Sequence, residues 1–149
     1  MKYLFATILI YTCSNFCLGQ SLDIKVKDAL KQAKFIDLYR ISRNSKDCED
    51  SKDPMIFAEN KIDPCFYKVK KLSLEALNTL TTILLNEHSY HEPYSNCFTT
   101  DFGLIIYNER HKMISYATLS LQCNNLVFNS DTPLTLTDKA KKKLGKIIH

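Results

Sequence analysis

The chain has 149 residues, 45% of them hydrophobic and 24% charged, a globular composition that excludes a disordered polymer. Its formal net charge of +4 is too small to imply nucleic acid or an anionic membrane surface as partner. Only three glycines are present, with no P-loop or dinucleotide fingerprint, which excludes a Gly-rich phosphate cradle.

Residues 1–19 are expected to be a cleavable signal peptide. Lys2 is the sole charge ahead of Asp23, and the apolar run from Tyr3 to Tyr11 is far shorter than a membrane span of about 20 residues. Polar Ser14, Asn15, Gln20 and Ser21 interrupt it, while Cys17 and Gly19 offer small side chains for cleavage before Gln20. Neither Cys13 nor Cys17 follows the small residues that lipid attachment requires. The expected product is a single α+β domain, residues 20–149, exported to the periplasm, cell surface or medium, with no transmembrane segment. Losing Lys2 takes the net charge from +4 to +3. Four cysteines remain, Cys48, Cys65, Cys97 and Cys123. In an oxidising compartment they read as two disulfides with three conceivable pairings.

Leu22, Val26, Ala29, Leu30 and Ala33 recur at helical spacing over residues 22–33. The stretch Phe35–Ile41 favours a strand by its aromatic and branched content, with Phe35, Tyr39 and Ile41 on one face and a continued helix as the alternative. Residues 42–64 form a long polar connection, uncommon in a compact domain unless stapled or functional. A Cys48–Cys65 bridge would staple it, contributing on the order of 3 kcal/mol through loop-closure entropy. Phe66–Lys71 reads as a strand in which lysines alternate with Tyr67 and Val69. Ser73 then caps a helix whose inner face is Leu77, Leu80, Ile83 and Leu84, with Glu75 favourably placed in the first turn.

A hairpin follows, 103–107 against 113–121 across the polar turn 108–112. If Tyr107 opposes Met113, paired residue numbers sum to 220, and Cys97 and Cys123 share that sum. An unbroken ladder would set them opposite each other within disulfide reach, although Thr99-Thr100-Asp101 can break the register. Loop closure and register thus favour Cys48–Cys65 with Cys97–Cys123. Leu126–Phe128 suggests a short strand before a turn at 129–133. A last helix starts near Thr137 and Asp138 and turns Ala140, Leu144, Ile147 and Ile148 inward. The order predicts an α+β fold, a small antiparallel sheet with helices packed on one face.

Chemistry-bearing candidates are sparse. His88 and His91 could share a helical turn and chelate zinc with Glu92 or Cys97; a solvated helix end is the plainer reading. Asp47, Glu49, Asp50 and Asp53 cluster, but they lack the glycine and terminal glutamate of a calcium loop. Lys139, Lys141, Lys142, Lys143 and Lys146 read as the outer face of the last helix. Tyr90 and Tyr94 could anchor a partner, loop packing being the plainer role. Ser115 and Ser120 have opposite strand parity and no nucleophile elbow. Cys97 beside His88 or His91 is the one conceivable thiol–base pair.

The run Cys97–Tyr107, with Leu119-Ser120-Leu121-Gln122-Cys123-Asn124, resembles a group of short uncharacterised exported bacterial proteins. The likeness reaches back to Ser73 and covers roughly residues 66–128. That group carries Arg-His before the glycine and ends its hairpin Cys-x-x-Cys, where this chain has Asp101-Phe102 and Ser120-x-x-Cys123. The resemblance implies the hairpin and a bacterial envelope address; it brings no activity, and the missing His and Cys weaken any shared metal or redox site. The expectation is a secreted or periplasmic non-enzymatic domain, without cofactor, catalytic or metal residues, that binds a protein or envelope component. The alternative is a small metal-dependent or thiol enzyme using His88, His91 and Cys97.

Overall fold

The computed structural model describes residues 21–42, 48, 54–91, 97, 99–129 and 131–149. The expected signal peptide, Asp47, Glu49, Asp50, Asp53, Glu92 and Tyr94 lie outside the described residues. In chain order the elements are α1 (Ile24–Gln32), β1 (Phe35–Ile41), β2 (Phe57–Ala58), β3 (Lys61–Ile62), β4 (Phe66–Lys71), α2 (Leu74–Leu85), β5 (Phe102–Tyr107), β6 (Met113–Ser120), β7 (Asn125–Phe128), β8 (Leu134–Thr135) and α3 (Asp138–Ile148). Six strands form one antiparallel open sheet in the order β4-β1-β5-β6-β7-β8, so the fold is α+β.

Each helix begins where a side chain satisfies free backbone N–H groups. Asp23 accepts from Lys25 N, Ser73 from Ala76 N and Thr137 from Ala140 N. Helix α1 stops at Ala33, whose backbone turns extended, and β1 follows at once as a strand rather than a continued helix. One face of the sheet carries all three helices. Ile36 and Leu38 of β1, Leu104 and Ile106 of β5 and Leu119 of β6 meet Leu30, Leu80, Leu84 and Leu144 in one continuous core. Full burial of each such side chain contributes about 1.5–3 kcal/mol relative to exposure, before conformational entropy is subtracted.

The expected inner faces match. Leu77, Leu80, Ile83 and Leu84 of α2 are buried, as are Ala140, Leu144 and Ile148 of α3, while Ile147 packs partly against the core. Strand β1 buries residues of both parities, because its second face is covered too. There Tyr39, Ile105, Phe66, Cys65 and Ile56 form a smaller cluster, with Ile41 at its margin. The connection expected to be a plain polar loop supplies much of this cover. It holds the β2–β3 hairpin, whose turn places Glu59 and Asn60 at φ 50° and 63°, values suited to a tight two-residue hairpin. The segment is pinned where Ile56 N donates to Thr118 Oγ1 (3.1 Å) and Thr100 Oγ1 donates to the Pro54 carbonyl (2.9 Å).

The β5–β6 register departs from the expectation. Tyr107 does oppose Met113, but Ile106 opposes Ser115 and Phe102 opposes Leu119. Ile114 is an extra residue, a bulge that moves the rest of the ladder to a sum of 221. Cys97 and Cys123 are therefore not ladder partners. They meet beyond the strand ends, where Asp101 Oδ2 accepts from Leu121 N (2.8 Å) and Gln122 N (3.2 Å) and turns the chain after β6.

Candidate binding groove

Cys48 is bonded to Cys65, and Cys97 to Cys123, with Cα–Cα distances of 5.2 and 5.4 Å. The first bridge ties the segment over the second sheet face to the start of β4. The second joins the approach to β5 with the turn after β6. Buried Asn125 holds the same approach by donating from Nδ2 to the Cys97 carbonyl. Two disulfides point to an oxidising milieu. Among the described residues no helix is long and apolar enough to cross a membrane.

The second bridge takes Cys97 out of both chemical roles conceived for it, since a disulfide sulfur is neither a thiolate nucleophile nor a thiolate ligand. His88 sits in the short 3₁₀ turn Glu87–Ser89 and is exposed, as is His91. Backbone pairing explains that stretch: His91 N donates to the Thr135 carbonyl (3.0 Å) and Thr137 N to that of Ser89 (2.9 Å). Among the described residues no group of three His, Cys, Asp or Glu side chains could hold a metal ion.

The fold accounts for the other described sequence candidates. Tyr90 is buried, and its phenol donates to the Leu84 carbonyl near the end of α2 (2.7 Å). Burial pushes that phenol well above the usual tyrosine range. Ser115 Oγ bonds Asn129 Oδ1 (3.0 Å), and Ser120 Oγ accepts from Cys123 N (3.1 Å). Lys139, Lys142, Lys143 and Lys146 are exposed on α3, with Lys141 half-buried.

Two charges inside apolar β1, Asp37 and Arg40, have opposite fates. Asp37 is nearly buried on the second face, where Lys68 Nζ meets its Oδ2 at 2.6 Å. Tyr39 and Tyr107 lie on the same sheet face. Burial foremost, then neighbouring charge and phenol, raises the Tyr107 titration, and burial then Asp37 raises that of Tyr39. The cluster is a satisfied polar network rather than an open site.

Arg40 lies on the helix-bearing face and is exposed. It borders a groove of about 550 Å³ at one end of the sheet, with Tyr67, Phe102, Leu121, Gln122 and His149 among its walls. The guanidinium carbon stands 5.9 Å from the Phe102 ring centroid, and the His149 ring meets the same phenylalanine edge-on at 5.7 Å. Among the described residues Arg40 has no carboxylate at ion-pair distance. The Asp101 carboxylate also lines the groove, but its Oδ2 is engaged by the two backbone N–H groups of the turn.

Compared with protein-family models, curated proteins and solved structures, the chain matches none.

The groove adjoins β4, an edge strand whose outer side no described strand pairs. Tyr67 and Val69 keep 49% and 47% of their surface exposed there, and Leu74 at the start of α2 keeps 71%. Val69 is an unpaired bulge residue, flanked by exposed Lys68, Lys70 and Lys71. Lysines and a bulge guard an edge against pairing with its own copy. The opposite edge is covered, since the stretch Ser89–His91 lies along β8. Sequence reading missed the groove because its walls come from separate stretches. The one available signal was Arg40 itself, a cation inside an apolar strand.

Proposed function

We propose that residues 20–149 are exported and act in an oxidising compartment as a non-enzymatic domain that binds a protein or an envelope component. The observation that carries this reading is the pairing of Arg40 with Tyr67 at one end of the sheet, with Val69 exposed further along the same edge strand. An exposed guanidinium and an exposed tyrosine border a groove there, next to a strand edge that leaves a valine in solvent. Arginine and tyrosine are among the side chains that most often anchor protein interfaces. The two staples support the compartment, and a bonded Cys97 turns the reading away from thiol chemistry.

The test is photocrosslinking in cells that export the full chain. A crosslinker at Val69 is expected to capture a discrete partner, and one at exposed Glu109 in the β5–β6 turn is not; the exported product should begin at Gln20. Retention of residues 1–19 in the cytosol, or identical captures from both positions, would defeat the reading. So would stoichiometric zinc in the purified mature protein.

A further inference from the structure

The Arg40 groove carries a commitment to ligand chemistry. We infer that it is a recognition site for a carboxylate attached to an apolar group, of the kind presented at the end of a peptide chain. The inference rests on the reading of this chain as a binding domain and names what that domain grips.

The chemistry of the walls selects the ligand. Arg40 supplies a planar fork of donors, the geometry that matches a carboxylate through two parallel hydrogen bonds. Its guanidinium carbon lies over the Phe102 ring at 5.9 Å, a cation–π contact that uses none of its N–H donors and leaves them for a partner. No described carboxylate pairs with it, and Asp101, the acid that shares the groove, is committed to Leu121 N and Gln122 N. Among the described groove side chains one guanidinium and one carboxylate carry fixed charge, a balance that suits a monoanion. A phosphate dianion would add a second negative charge beside Asp101, and the described groove walls include no lysine or second arginine to balance it.

The remaining walls suit what the carboxylate is attached to. The half-exposed Tyr67 ring, Leu121 and Ile41 offer apolar contact, while Gln122 and Ser42 offer hydrogen bonds to an amide. The volume of about 550 Å³ falls within the range of small-ligand pockets and is large enough for one or two residues.

The experiment is an NMR titration of the isotopically labelled mature protein with three short peptides and inorganic phosphate. The peptides are acetyl-Ala-Ala-Phe with a free carboxylate, the same peptide as its amide, and acetyl-Ala-Glu-Phe amide. The free acid is expected to move the amide resonances of Ser42, Leu121 and Gln122 at least 10-fold more tightly than the amide does. Arg40→Gln should abolish that preference and Arg40→Lys should keep a weakened part of it, with unchanged melting temperatures showing that both variants are folded. Binding of the Glu peptide as tight as that of the free acid would support carboxylate recognition and assign the source to a side chain. Equal binding of acid and amide, no binding of either at millimolar concentration, or tighter binding of phosphate would overturn the inference. That failure is separable from failure of the proposed function: the Val69 crosslink would survive it, and loss of the crosslink alone would leave the carboxylate site standing.

Discussion

Ile56 lies directly against the backbone of Gly103. A Cβ placed on Gly103 would come within 2.5 Å of both Ile56 Cδ1 and Cγ1 and 2.7 Å of Ile56 Cβ. The glycine within β5 is thus a seat for a side chain delivered by the stapled segment. Gly103→Ala is expected to destabilise the domain by about 1–3 kcal/mol, because Ile56 is fully buried and has little room to retreat. Ile56→Ala removes the two nearest atoms, so the double variant should cost less than the sum of the singles. Urea denaturation of the four proteins checks this, and additivity within about 0.5 kcal/mol would show that the contact is not the cause.

The first disulfide should stabilise one face more than the other. Replacing Cys48 with Ser and Cys65 with Ala together is expected to cost about 3 kcal/mol, the scale for closing a loop between residues 17 apart. Hydrogen exchange should speed up at Ile56 N, which donates to Thr118, before it does in the α2 core around Leu80. Thiol titration of residues 20–149, denatured and unreduced, should find none of Cys48, Cys65, Cys97 and Cys123 free.

Tyr90 should give the domain an alkaline limit. Its phenol titrates higher in the folded chain than the unperturbed value near 10, so the folded state holds the proton longer than the unfolded one. The stabilisation is complete below about pH 10 and is lost as pH rises toward the folded titration. Tyr90→Phe removes this contribution, so stability should fall less steeply above pH 10, with Tyr39 and Tyr107 leaving a smaller residual slope of the same sign. At pH 7 the same variant should cost about 1 kcal/mol for the lost bond to the Leu84 carbonyl. Urea denaturation at pH 7, 9 and 10.5 reads both effects.

Asp101 organises the turn that brings Cys123 to Cys97. Asp101→Ala leaves Leu121 N and Gln122 N without their acceptor and is expected to cost about 2 kcal/mol, as for a charged hydrogen-bond partner. Asp101→Asn keeps an acceptor oxygen and should cost less than half as much. Thermal melts rank the two, and amide shifts at residues 121 and 122 report whether the turn is kept.

Helices and strand types were legible because burial on one side writes a period into the chain. The inner faces of α2 and α3 are the apolar residues at helical spacing, and Ser73 and Thr137 announce their starts in sequence and in structure alike. Cysteine positions and loop length together marked the Cys48–Cys65 staple. The Cys97–Cys123 pair was reached through a register that the bulge at Ile114 displaces by one. An inserted residue that is itself apolar leaves no trace in an apolar run. Tyr90, which as a lone aromatic between polar neighbours reads equally as anchor or as packing, is settled by its burial and by the Leu84 carbonyl.

What the sequence determined by itself was therefore local: element types, caps, inner faces and the positions of the cysteines. Those properties depend on neighbours within a few turns or a few strand residues. Tertiary structure alone decided that Ile56 would settle on Gly103, that Asp37 would find Lys68 and that Arg40 would face a groove. Each of these joins segments more than 25 residues apart, or collects residues from several strands at one end of the sheet. Such meetings are set by strand order and register, which an antiparallel sheet fixes only when it closes.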